Sequence, residues 1–271
     1  MRVSVVKFGG ELLDDAEAIR AAAASIVRFA NDGSTVVVHG GGRAIDAELT
    51  VRGIEPRFVD GLRITDPPTL DVVVSVLAGR VNTLLVAAIG AAGGRAVGLT
   101  GADAGIGLAT RAATFRSVAG DDVDLGLVGE PAPTRPALIG QLLALGYVPV
   151  VCSIGVDAQG TLLNVNADTF AGHLAGALGA RRLVMAGTTA GVLNADGITI
   201  DRLGADEIAR MAAAGVAHSG MLAKLTACRR AFEAGVEDVA IVAGRGGFGI
   251  NPAGTRIVAS AAESVSGSLS E

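Results

Sequence analysis

Two of the twenty-two basic residues in this chain are lysines, Lys7 and Lys224, and the remainder are arginines. Each lysine falls in a glycine-containing segment that reads as a turn. Arginine serves wherever a positive charge alone is needed, so the two exceptions suit a role that a planar guanidinium fork fills poorly. That role is to set a compact, mobile ammonium with three donors against a crowded anion. Phosphate fits this description. Gly9-Gly10 and Gly40-Gly41-Gly42 each follow an apolar run and lead toward a helix. Their backbone N–H groups can form anion-binding nests with the positive end of a helix dipole behind them. No G-x-x-x-x-G-K-[ST] loop occurs, and no G-x-G-x-x-G follows the first strand, so neither a P-loop nor a dinucleotide site is supported.

Two further segments carry chemistry. Leu163-Asn164-Val165-Asn166-Ala167-Asp168 places three polar side chains at a strand-to-helix junction. One of them, such as Asn166, caps the helix, which leaves Asn164 and Asp168 free to face a cleft. Ser219-Gly220-Met221-Leu222-Ala223-Lys224 also enters a helix, and a lysine in a first helical turn opposes the dipole unless an anion lies nearby. His39 and His218 flank glycine motifs and are candidate donors behind them; His173, on an Ala/Leu helix, reads as a satisfied structural histidine. Cys152 and Cys228 have no Cys/His ligand spacing around them and read as buried, reduced thiols, so no protein-held metal is expected.

The elements that position these residues alternate. An apolar strand at Val3 to Val6, a glycine turn, and an Ala-rich helix from Asp14 to Asn31 precede a second strand at Thr35 to Val38 and a helix from Ala44 to Val51. Phe58 to Ile64 reads as a hairpin with an Asp-Gly turn, followed by a helix over 69–92. Phe115 to Val118 and Val123 to Val128 read as an antiparallel pair, after which helix and strand alternate again to Val242. The pattern predicts an α/β fold with a mainly parallel sheet, its ligands at the carboxyl ends of the strands.

The 271 residues are 50% hydrophobic but only 3% aromatic, which suits Val- and Ile-rich buried strands under Ala-rich helices. A net charge of −5 with no basic cluster gives no footprint for nucleic acid or an anionic membrane, and favours small-molecule partners. The uncharged stretch 136–156 is divided by Gln141, Gly146, Pro149 and Ser153 into a helix and a strand rather than a membrane span. Met1-Arg2 leads straight into a strand with no apolar signal region, so a cytoplasmic protein is expected.

Lys7-Phe8-Gly9-Gly10, His39 to Gly42, Val59-Asp60-Gly61-Leu62-Arg63, Leu77-Ala78-Gly79-Arg80-Val81-Asn82, Gly98-Leu99-Thr100-Gly101, Asn164 to Asp168 and Ser219 to Lys224 resemble, in order, the motifs of the amino acid kinase family. The Val-Asp-Gly-Leu-Arg hairpin points to its acetylglutamate branch. The resemblance spans nearly the whole chain and implies one open αβα sandwich of the carbamate kinase type over 1–271. Its first lobe, to about 160, would bind the acylated amino acid and dimerise; its second, from about 161, would bind MgATP. The implied reaction is phosphorylation of the γ-carboxylate of N-acetyl-L-glutamate by ATP, on the route to arginine, in a homodimer. By position, Lys7 and Lys224 would stabilise the transferring phosphoryl group and Asp168 would hold both lysines. Arg63 and Asn164 would bind the α-carboxylate and neighbouring groups. Gly10, Gly41 and Gly42 would receive the γ-carboxylate, and Gly9, Gly10, Gly40 and Gly220 the phosphates. Mg²⁺ would arrive with the nucleotide. Arginine-inhibited members carry an extra helix before the first strand, so an enzyme insensitive to arginine is also expected. Two alternatives share the fold: a kinase of carrier-protein-linked aminoadipate or glutamate, and a catalytically silent binder of nucleotide or amino acid. The chain departs from the family pattern at Gly187-Thr188-Thr189, at Ala102 and Ala223, and in the short segment Gly246 to Pro252.

Overall fold

The computed structural model describes residues 2–117, 119–194, 196–214 and 219–259. The chain opens with β1 (Val3–Phe8), α1 (Ala16–Asp32), β2 (Ser34–His39) and α2 (Gly42–Val51). The hairpin β3 (Phe58–Val59) and β4 (Leu62–Arg63) follows, then α3 (Pro67–Val74), a π-helical turn over Ser75–Val81, and α4 (Asn82–Ala91). Next come β5 (Ala96–Thr100) and four short strands, β6 (Ala109–Arg111), β7 (Phe115–Arg116), β8 (Asp122–Val123) and β9 (Val128–Pro131). The chain continues through α5 (Ala137–Ala144), β10 (Val148–Cys152), β11 (Ile154–Val156), β12 (Leu162–Val165) and α6 (Ala167–Ala177). It ends with β13 (Arg182–Gly187), β14 (Arg202–Gly204), α7 (Ala205–Ala214), α8 (Ser219–Glu233), β15 (Asp238–Ala243) and β16 (Gly254–Val258).

Eight strands form one sheet in the order β14-β16-β15-β13-β1-β2-β10-β5. The run from β15 to β5 is parallel, and β16 lies antiparallel to β15. Successive strand residues face opposite sides. Val3, Val5, Val36, Val38 and Val151 therefore join one core with α5, α6, α7 and α8, while Val6, Val37, Val150 and Val184 join the other with α1, α2, α3 and α4. The result is an αβα sandwich.

Local chemistry sets the ends. Asp15 accepts the N–H of Ala18 and caps α1; Asp66 accepts that of Thr69, with Pro67 at the first helical position of α3. The hairpin turn has positive φ at both Asp60 and Gly61, as a two-residue type I′ turn requires. Two expectations change. The helix expected over 69–92 is continuous but widens into a π turn around Gly79, a residue of low helix propensity. The strand expected over 123–128 breaks at Gly126, whose φ of 76° ends the extension. β8 then pairs with β7, whereas β9 joins β6 and β12 in a second sheet ordered β11-β12-β9-β6.

The segment after β15 returns to the opposite side of the molecule. Phe248 stacks on Phe8 with centroids 5.7 Å apart and meets Phe29 edge-on at 5.8 Å. Its N–H donates to Ser25 Oγ at 2.9 Å, and its carbonyl accepts from Arg28 Nη2 at 2.9 Å. Among the described residues, one helix, Pro67–Ala91, is long and apolar enough to cross a membrane, and its inner face is part of the core.

Candidate active site

Lys7 lies within β1, paired in register with Val38 and Met185, and not in a turn. Parallel partners on both sides carry the strand through Phe8. Alternation puts Lys7 on the same face as Val3 and Val5, the face covered by α6 and α8. Asn166 caps α6 by accepting the N–H groups of Asp168 and Thr169, both at 3.0 Å. That cap fixes Asp168 in the first helical turn, where the helix dipole favours a carboxylate. Lys224 sits further along α8 than expected, past its first turn. A side chain at Gly172 would lie 2.8 Å from the Ala227 carbonyl, so α6 and α8 pack backbone to backbone and Lys224 can reach Asp168.

The three charges converge. Asp168 Oδ1 is 2.8 Å from Lys7 Nζ, and Lys224 Nζ donates to Oδ1 and Oδ2 at 3.0 and 3.1 Å. Burial alone would raise the Asp168 carboxyl, but the two ammonium groups outweigh it and hold it down at about 2. Burial lowers Lys7. For Lys224 burial also works downward, but Asp168 prevails and raises it. One carboxylate between two ammonium groups leaves this trio one positive charge in excess, which Glu11 nearby offsets in part.

The two glycine turns face this cluster. A Cβ at Gly10 would lie 2.7 Å from Gly41 Cα and Gly42 N, and one at Gly41 would lie 2.7 Å from Leu77 Cδ2, so neither position admits a side chain without displacement. The expectation that all these glycines offer donors needs correction. Gly9 N–H is committed to Ala186 O at 3.0 Å and Gly40 N–H to Phe8 O at 3.3 Å, because sheet-like pairing continues past the strand ends. Among the described residues, the N–H groups of Gly10, Gly41 and Gly42 have no partner within the chain. Gly220 lies exposed on α8 one turn before Lys224.

Arg63 is buried at the base of the hairpin, its guanidinium 4.5 Å above the Phe58 ring. Nη2 donates to Asp46 Oδ1 at 2.7 Å, while Nη1 is buried with no partner. Asn164 Nδ2 donates to Thr65 Oγ1 at 3.1 Å. Lys7, Gly10, Gly41, Gly42, Arg63, Asn164 and Asp168 together line one pocket of about 230 Å³.

Behind the second glycine turn, His39 is fully buried. Asn82 Nδ2 donates to His39 Nε2 at 3.1 Å and to Val150 O at 2.9 Å. Nε2 is then an acceptor, which puts the ring proton on Nδ1, where it donates to Gly40 O at 3.1 Å. Burial pushes this imidazole down to about 4, so it stays neutral. His218 lies outside the described residues. His173 is not the satisfied residue expected, because its Nε2 is buried without a partner. Cys152 and Cys228 are buried thiols pushed up to about 12 by desolvation.

Three residues of the site were missed in the sequence. Asn82 stands inside a longer motif, Asp46 is an unremarkable helix residue, and Glu11, whose carboxylate folds over Gly9, adds an acid that both lysines feel. For Glu11 the signal was its place directly after the glycine pair.

Residues 2–243 match the model of the amino acid kinase family. The chain belongs to this family. It is 42% identical over 251 residues to an acetylglutamate kinase of Novosphingobium aromaticivorans, covering 89% of this chain and 83% of that protein. An acetylglutamate kinase of Methanopyrus kandleri is 40% identical over 242 residues, covering 88% of this chain and 94% of that one. In three dimensions the chain is similar to smu.665 from Streptococcus mutans UA159, with a TM-score of 0.81, 25% identity, and coverage of 95% and 99%. A carbamate kinase from Giardia, with a TM-score of 0.66 at 15% identity over 96% of this chain and 99% of that one, shares the fold.

Two outcomes follow from this geometry. Lys7→Arg and Lys224→Arg each keep the charge but cannot seat a guanidinium on Asp168 in the same space, and each lowers kcat by roughly two orders of magnitude, as steady-state kinetics will show. His39 binds no proton in the folded state until about pH 4, whereas the unfolded chain takes one up near 6.5. Folding stability therefore falls as pH drops from 6.5 toward 4, by about 3 kcal/mol from this group. Urea titrations across that window will show a slope that His39→Gln flattens.

Proposed function

We propose that this protein transfers the γ-phosphoryl group of ATP to the γ-carboxylate of N-acetyl-L-glutamate, giving N-acetyl-L-glutamyl 5-phosphate and ADP, an early step toward arginine. The observation that carries this reading is the Asp168 carboxylate held between Lys7 and Lys224, opposite the free N–H groups of Gly10, Gly41 and Gly42. Relatives 40–42% identical over most of the chain are acetylglutamate kinases.

In such a transfer a carboxylate oxygen forms the new bond to phosphorus as the bond to the ADP oxygen breaks. Charge spreads over three equatorial oxygens, and catalysis rests on positioning and electrostatic stabilisation. Lys7 and Lys224 supply that stabilisation, and Asp168 keeps two like charges close enough to act on one phosphoryl group. Gly10, Gly41 and Gly42 orient the attacking carboxylate, and His39 fixes the direction of the Gly40 carbonyl and so of the turn. Arg63 Nη1 takes the α-carboxylate, completing a guanidinium already anchored by Asp46, with Asn164 beside it.

The nucleotide belongs at the carboxyl ends of β13 and β15, in the lobe from about residue 161, and the acylated amino acid in the lobe before it. Magnesium neutralises phosphate charge and arrives bound to ATP. Asp168 has both oxygens on lysines and offers it no ligand. A cytoplasmic setting suits ATP and two buried free thiols. The helix Pro67–Ala91 has a mean hydropathy of 2.0 in its most apolar window, of which only 44% is buried, and Leu84 on it is 47% exposed. A second copy of this chain covers that surface, giving a homodimer.

Incubation with MgATP, N-acetyl-L-glutamate and hydroxylamine yields the hydroxamate of the acyl phosphate; its absence refutes the reading. In this assay Arg63→Ala raises the KM for the acylated amino acid by about 10- to 100-fold, the worth of one charged hydrogen bond, and leaves the KM for ATP unchanged. Light scattering gives a particle of twice the 26.9 kDa chain.

A further inference from the structure

A second, larger groove of about 780 Å³ adjoins the 230 Å³ pocket. Leu62, Val128 and Asn166 line both, so the two spaces share a wall. One side of the groove is built from the segment around β7 and β9, including Ala112, Ala113 and Phe115. The other side is the outer face of α6 and α8, including Gly172, His173 and Ala227. These walls are mainly apolar. They carry two polar atoms that stand out, because His173 Nε2 and Thr134 Oγ1 are buried and both lack a partner. The other His173 nitrogen serves the Ala132 backbone, and burial lowers this imidazole, so Nε2 presents a lone pair to the groove. An unpaired buried acceptor costs free energy that an incoming donor would recover.

The direction of a bound substrate follows from the proposed function, on which this inference rests. With the γ-carboxylate at the Lys7 end and the α-carboxylate on Arg63, the remaining substituent of the amino acid is its N-acyl group. Leu62, Val128 and Asn166 are the residues that this pocket shares with the groove. We infer that the acyl group passes between them and that the groove beyond accepts N-acyl chains longer than acetyl, apolar along their length and ending in a hydrogen-bond donor. Asn166 and His173 are seven residues apart on one helix face, a reach on the order of 10 Å. A chain of six carbons with a terminal hydroxyl spans most of that distance.

The hydroxamate assay is run with N-acetyl-, N-hexanoyl- and N-(6-hydroxyhexanoyl)-L-glutamate. The hexanoyl compound shows a KM about tenfold below that of the acetyl compound, because its methylenes leave water, and the hydroxyl lowers it further. His173→Phe fills the groove and removes the acceptor. It raises the KM of both long substrates and leaves that of N-acetyl-L-glutamate unchanged. His173→Gln keeps an acceptor and retains the preference for the hydroxyl. Ala113→Phe, at an exposed position on the opposite wall, carries the same test if the histidine variant does not fold. A hexanoyl KM above the acetyl KM, or one that the groove variants leave unchanged, overturns the inference while N-acetyl-L-glutamate is still phosphorylated. Failure to phosphorylate N-acetyl-L-glutamate itself overturns the proposed function instead.

Discussion

The buried contact between Asp168 and two lysines is the constraint around which the rest of this molecule is arranged. Two ammonium groups held within reach of one carboxylate repel each other, and all three groups lose hydration on burial. Removing the carboxylate from such a cluster leaves uncompensated buried charge, a cost of about 3–5 kcal/mol. The arrangement therefore needs its members fixed by structure that does not yield. Lys7 is set in the middle of a parallel sheet, Asp168 is pinned by the Asn166 cap, and Lys224 is brought in by two helices in backbone contact at Gly172. The surplus positive charge is then available to an anion.

Sterics and hydrogen bonding complete the site from the other side. A Cβ at Gly10 would run into the backbone of the second turn, and one at Gly41 into the side chain of Leu77. His39 and Asn82 form a relay reaching from the α4 end of the π turn to the carbonyl of Gly40. The amide of Asn82 also fills the space beside Gly98, where a side chain would collide with it. The π turn over Ser75–Val81 ends directly before Asn82, so the irregular backbone leads into the residue that makes these bonds.

The parts of this design that are local in the chain were legible in the sequence. Lys7 beside two glycines, the Asp60-Gly61 hairpin, and three polar residues ahead of α6 each carry their meaning within a few positions, and the alternation of elements gave the parallel sheet. Other parts depend on pairings that spacing does not encode. Asn82 meets His39 across 43 residues, and Asn164 meets Thr65 across 99. The commitment of Gly9 and Gly40 to sheet-like bonds depends on where strand pairing stops, which depends on the neighbouring strands. The unpartnered nitrogen of His173 is hidden from the sequence because its helix face looks like any Ala/Leu surface until the segment around β9 is placed over it.

The location of β1 has a consequence for how the chain is made. Made before either of its partners, it lies in the interior of the sheet, with β2 on one side and β13 on the other. From the time residue 39 has emerged until residues 182–187 arrive, one edge of this valine-rich strand has no partner. An open edge of that kind is a template for pairing with other chains. The face of Phe8 waits longer still, because Phe248, which covers it, is gripped by Ser25 and Arg28 across more than two hundred residues. Contacts of such separation are formed late and slowly. The strand that carries Lys7 thus keeps an open edge until β13 has been made, and an uncovered face until Phe248 has followed it.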